Sequence, residues 1–101
     1  MVICNTTISI DNSVATEWNK WMNETYIPLL MNTGSFIDVR LFKVLNNQDQ
    51  GGSSFALMMM SRDMQTYTDF EARHARKLDQ LHNIKYGSKF VSFRTMLDEA
   101  K

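Results

Sequence analysis

The order in which the hydrophobic period changes along this chain constrains its fold more than any single motif. "VICNTTISI" (2–10) alternates, with Val2, Cys4, Ile8 and Ile10 on one face and Asn5, Thr7 and Ser9 on the other, as a half-buried strand requires. "DNS" follows as a helix-start signal, with Asp11 or Ser13 as the cap and Glu17 in the early helix. From Val14 onward, Trp18, Trp21, Met22, Thr25 and Leu29 recur at helical spacing and form one broad stripe. Pro28 comes late in this helix and is expected to kink or break it. "NTG" (32–34) then reads as a C-terminal cap with Gly34 in the left-handed conformation.

The same alternation of periods repeats. "FIDVRLFKVL" (36–45) and "SSFALMMMS" (53–61) read as strands, joined by "NNQDQGG", a polar loop that suits a hairpin. "SRDMQTYTDFEARHARKLDQLH" (61–82) reads as a second helix capped by Ser61 or Asp63. "NIKYG" turns the chain, and "KFVSFRTML" (89–97) is the last strand. Strand, helix, strand, strand, helix, strand, with right-handed crossovers, most simply gives a four-stranded antiparallel sheet with two helices on one face. This is the ferredoxin-like βαββαβ arrangement of the α+β class, filling residues 1–101 as a single domain.

Composition removes several function classes. Eleven basic and eleven acidic side chains cancel, so no net field draws the chain to nucleic acid or to anionic lipid. The local run "RHARK" (73–77) reads as a solvated helix face. The longest apolar run, "FALMMM" (55–60), has strand length and is too short to span a membrane. "MVICNTTISI" lacks the pattern of a secretory leader, so a cytoplasmic location is expected. Cys4, the single cysteine, lies in an alternating strand and reads as a buried structural thiol. Two histidines at a spacing of eight, with no cysteine pair, argue against a metal site, and no motif implies a cofactor.

With both helices on one face, the other face of the sheet needs a cover. Alternation assigns Phe36, Asp38, Arg40 and Phe42 of the second strand to that bare face, together with Phe90, Arg94 and Met96 of the last. Three phenylalanines and a methionine do not suit a solvated surface, so these residues are the candidate interface of a homodimer. Asp38 and Arg40 lie on one edge strand and Arg94 on the other, roughly 14 Å away across three strand spacings. Arg94 is therefore expected to meet a carboxylate or carbonyl of a second copy, since a buried guanidinium must be paired.

His74 is the best candidate for chemistry. At about 100° per residue, Met64, Tyr67, Phe70, His74, Leu78 and Leu81 fall within one apolar arc, with His74 near its middle. An imidazole there serves either as a base, ligand donor or axial haem ligand in a pocket, or as a core histidine donating to a carbonyl or tyrosine. His82, near the helix end, reads as a charge favourable to the helix dipole. Trp18 and Trp21 offer an aromatic wall, and the eight methionines an adaptable lining, although helical stripes of this kind commonly form core.

"EWNKWMNETYIPLLMNTGSF" (17–36), the His74, Leu78, His82 pattern and "YGSKFVSFRTML" (86–97) resemble an uncharacterised family of small bacterial proteins, a domain of unknown function. That family in turn resembles dimeric α+β-barrel proteins, among them antibiotic-biosynthesis-type monooxygenases, haem-degrading enzymes and stress-responsive proteins. The resemblance implies a dimer and a ligand pocket between sheet and helices. Where relatives often carry a histidine before Ile-Pro, Tyr26 stands here and removes that base. The pocket candidates are then Trp18, Trp21, Tyr26, Tyr67 and His74, for a small hydrophobic or aromatic molecule. A structural or regulatory dimer without catalysis is the alternative, and whether the chain is an enzyme stays open. RNA recognition on the sheet face would want a basic surface and an aromatic signature that "KFVSFRTML" does not supply.

Overall fold

Strand β1 (Val2–Asp11) is where the sheet is built, because it pairs on both edges. β3 (Gly52–Ser61) lies antiparallel on one side and β4 (Phe90–Asp98) on the other, while β2 (Asp38–Lys43) pairs with β3 as the outer strand. The computed structural model describes residues 1–46 and 51–100, and its sheet order is β2-β3-β1-β4. The expected four-stranded antiparallel α+β arrangement with two helices is thus observed, although most of the loop read at 46–52 lies outside the described residues. Among the described residues, no helix is long and apolar enough to cross a membrane.

Directly opposed residues of an antiparallel pair share a face, so the register assigns every strand residue a side. Cys4, Ile8 and Ile10 are buried under the helices, with Phe55, Leu57 and Met59 of β3 and Val39 of β2. Opposite them on β4 stand Phe90, Ser92, Arg94 and Met96. Asp38, Arg40 and Phe42 lie on the bare face as expected, beside Met58 and Met60 of β3 and Ile3 of β1. The other three interface candidates on strands or at their ends do not follow this assignment. Phe90, Arg94 and Met96 face the helix side, and the bare face of β4 carries Val91, Phe93, Thr95 and Leu97 instead.

Phe36 is also a correction. The strand begins only at Asp38, so alternation cannot be extrapolated back through the turn at Gly34, whose φ is +75°. Phe36 is buried against Phe70, ring centroids 4.7 Å apart, and Ile37 takes the exposed position. The expected link from Arg94 to a second copy fails with its face. Arg94 Nη1 bonds Glu71 Oε1 of its own chain, while Asp38 and Arg40 pair with each other on the bare face at 2.7 Å.

Both helices are continuous but not uniform. The first comprises Ala15–Trp21, a five-residue π turn Met22–Tyr26, and Ile27–Asn32; the second comprises Met64–Phe70, a π turn Glu71–Ala75, and Arg76–Tyr86. Asp63 caps the second helix through the Thr66 amide at 2.8 Å. The first has no side-chain cap, because the Asp11 carboxylate accepts from the Ser13 amide and hydroxyl in the preceding turn. Pro28 neither breaks nor ends the first helix. Just before it, the Ile27 amide reaches back to the Met22 carbonyl, five residues away, and this wide turn relieves the crowding that a proline ring imposes on an α turn.

A π turn inserts about one residue, so the buried stripe beyond it rotates by about 100°. In the first helix the core residues are Trp18, Met22, Tyr26 and Leu30, whereas Leu29 is exposed. In the second they are Tyr67, Phe70, Ala75, Leu78, His82 and Tyr86, while Met64 and Leu81 face water. The second helix also runs on to Tyr86, through most of the segment read as a turn, and Gly87 follows it.

Candidate functional site

The rotated stripe brings His82, not His74, into the interior. His82 is 6 % exposed and accepts a hydrogen bond from the Trp18 indole, Nε1 to Nε2 at 2.9 Å. The rings of Phe90, Tyr26 and Trp21 surround it at centroid distances of 4.2, 5.6 and 6.0 Å. This apolar enclosure holds the imidazole pKa down to about 4, so His82 is neutral at physiological pH. An indole nitrogen only donates, so Nε2 must be the acceptor and the ring proton must sit on Nδ1. The group that His82 can still offer is therefore a donor.

His82 lines a cavity of about 410 Å³ between the helices and the β1–β4 side of the sheet. Its floor is apolar, with Ile8, Met22, Leu57, Met59, Leu78 and Phe90. Its rim is polar and exposed, with Asp79 and Asn83 on the second helix facing Ser92 and Arg94 on β4. The opening follows from the architecture. β4 is an edge strand exposed beyond Phe90, so its helix-facing side chains border a gap instead of a packed layer.

Two polar devices frame this gap. Tyr26 is buried and lines the cavity, and among the described residues its hydroxyl has no hydrogen-bond partner. Burial raises its phenol well above the ordinary range, with Asp79 adding to the shift and Arg94 opposing it. The second device is a chain of contacts anchored on the π turn. The Tyr67 hydroxyl donates to Glu71 Oε1 and lies 3.4 Å from Cys4 Sγ; the same Oε1 accepts from Arg94 Nη1, whose Nη2 stands 3.9 Å from Asp79 Oδ2. Burial raises the Tyr67 phenol first, reinforced by Cys4 and Glu71. It also raises the Asp79 carboxyl, against the pull of Arg94 and with a further push from Glu71.

Of the five pocket candidates, Tyr26 lines the cavity. Trp18 is fully buried behind His82, and Tyr67 is buried behind Glu71. Trp21 is half-buried, 5.3 Å from the Tyr26 ring. His74 is half-buried at the end of the π turn, its ring 6.2 Å from Phe70, and does not border the cavity. The groups that sequence reading missed are His82, Asp79, Asn83 and Ser92. A signal was present, since Leu78, His82 and Tyr86 are spaced by four and carry Asp79 and Asn83 beside them.

Comparison with known proteins agrees with this geometry at the level of fold. A crystal structure of an ethyl tert-butyl ether d (EthD) family protein from Bacillus halodurans C-125 is similar, with a TM-score of 0.69 over 99% of this chain and 100% of that one. The two are 9% identical, so the likeness concerns the fold alone. Comparison with curated proteins finds no match. The profile of the family described as Domain of unknown function (DUF4286) matches residues 1–100. The chain belongs to that family.

Proposed function

We propose that this protein binds a small, flat, mainly apolar molecule in the cavity beside His82, and does so as a homodimer. The observation that carries the binding reading is an apolar chamber whose few polar groups converge on it: Tyr26 with an unengaged hydroxyl among the described residues, His82 with a donor to spare, and the Asp79 and Arg94 rim. Its volume is at the lower end of the roughly 300–1,000 Å³ typical of small-molecule sites. His82 is poorly suited to act as a general base. Its acceptor nitrogen is occupied by Trp18 and its basicity is depressed by burial, so the role assigned to it is recognition.

The dimer reading rests on the bare sheet face. Val91 and Phe93 are 72% and 63% exposed there, with Phe42 and Leu97 also open, an apolar surface that monomers rarely present to water. The resemblance to dimeric barrels of small bacterial proteins points the same way, and a cytoplasmic location remains the expectation for such a chain.

A thermal-shift screen of planar aromatic fragments tests the binding reading. A ligand at 100 times its Kd stabilises the fold by about 2.7 kcal/mol, which is a rise of several degrees in Tm. Absence of any shift across such a library contradicts it. Sedimentation equilibrium tests the dimer, and a stable monomer at micromolar concentration contradicts that part alone.

A further inference from the structure

The rim of the cavity has a charge imbalance that bears on what can enter. Arg94 is its one cation among the described residues that line the cavity, and it stands against two carboxylates, Glu71 and Asp79. Glu71 is already committed, because its Oε1 takes both the Tyr67 hydroxyl and Arg94 Nη1. Asp79 is not. At 3.9 Å from Arg94 Nη2 it is beyond hydrogen-bond distance, and among the described residues no donor reaches it. Glu71 does not itself line the cavity but is paired with Arg94, so of the two charged lining residues Arg94 is already compensated and the Asp79 carboxylate is left without a hydrogen-bonded cation among the described residues.

We infer that the cavity selects a neutral planar molecule bearing a hydroxyl or N–H donor, seated with its apolar body against Phe90 and Met59 and its donor on Asp79, and that it rejects carboxylates. This deepens the binding reading above and rests on it. An anionic ligand would face the Asp79 carboxylate across the exposed rim. Arg94 keeps its Nη2 donors, but its charge is already balanced by Glu71, so an added carboxylate would meet the uncompensated Asp79. A hydroxyl donor instead meets an acceptor that nothing else in the described chain satisfies, and hydrogen bonds to a charged acceptor are among the stronger ones.

Isothermal titration with three probes of matched shape tests this: 2-naphthol, its methyl ether 2-methoxynaphthalene, and 2-naphthoate. For the wild-type protein 2-naphthol is expected to bind about tenfold tighter than the ether, and 2-naphthoate at least tenfold weaker than 2-naphthol. In Asp79→Ala, an exposed helix position where folding is retained, 2-naphthol falls to within about twofold of the ether and 2-naphthoate strengthens. Equal or tighter binding of 2-naphthoate by the wild type overturns the inference while leaving the pocket reading standing. So does an unchanged ratio of 2-naphthol to 2-naphthoate in Asp79→Ala. Binding of none of the three overturns the pocket reading and the inference with it.

Discussion

The two histidines of the second helix lie eight residues apart and have opposite fates. His74 stands in the π turn, half-buried beside Phe70, with no part in the cavity. His82, one regular helical segment later, is enclosed by aromatic rings and bonded to Trp18. Nothing in the chemistry of imidazole separates them. The π turn Glu71–Ala75 does, because it rotates everything beyond it by about one residue. Helix phase, more than residue type, decides which polar group reaches the interior.

The largest effect should come from moving that phase. Inserting an alanine after Lys77, in the regular segment beyond the π turn, rotates Leu78, His82 and Tyr86 a further residue off the core. Losing several buried side chains costs about 5 kcal/mol or more, which matches the whole stability of a small domain, and circular dichroism should show an unfolded chain. Deleting the exposed Ala72, inside the π turn, converts that turn to regular α-helix and keeps the stripe in register. Urea denaturation should find that variant within about 1 kcal/mol of wild type. Equal damage from the insertion and the deletion would contradict a phase set by the π turn.

Next comes His82→Ala. It opens a cavity and leaves the Trp18 indole N–H unsatisfied, for a loss of about 3–4 kcal/mol in urea denaturation. Replacing Trp18 by Phe in the His82→Leu background removes donor and acceptor together. The double variant should therefore be less damaged than the sum of the single ones, which a double-mutant cycle measures.

A smaller effect is the pH dependence. His82 titrates near 4 when folded and near its ordinary 6.5 when unfolded, so between those values the unfolded chain binds the extra proton. Stability contributed by the neutral ring is complete above about pH 6.5 and is lost as pH falls toward 4, by roughly 2–3 kcal/mol. Unfolding free energies measured from pH 7 to 4 should show this loss in the wild type and not in His82→Gln. At the bottom of the scale, His74→Ala at pH 7 should change stability by less than about 0.5 kcal/mol.

These contrasts also explain how much of the molecule was legible in its sequence. β1 reads correctly to the residue face, because its alternation is interrupted only at Ile3 and Thr6 and its buried side is apolar at Val2, Cys4, Ile8 and Ile10. β4 carries apolar residues on both sides, Phe90 and Met96 against Val91, Phe93 and Leu97, and an edge strand bordering a cavity gives alternation no buried side to mark. Alternation therefore does not reveal its face, nor that of Arg94, whose partners are Glu71 and Asp79 on the second helix. The helices themselves were plain from their period, but their π turns were not. A one-residue change in phase costs a short helix little, leaves no composition signal, and moves the candidate from His74 to His82. Tyr26 entered as a pocket residue through a resemblance; its geometric reason, the turn Met22–Tyr26, emerged only from the fold.

Entry of a small molecule into the cavity beside His82 can be read at the methionines. Met22 and Met59 line the cavity, whereas Met58 and Met60 lie on the opposite face of the same sheet. Methyl NMR of a ¹³C-methionine-labelled sample, titrated with 2-naphthol, reads both faces at once. Saturable shifts are expected at Met22 and Met59, with Met58 and Met60 unmoved. Shifts confined to Met58 and Met60, or no saturable shift at Met22 and Met59, would contradict entry into the cavity.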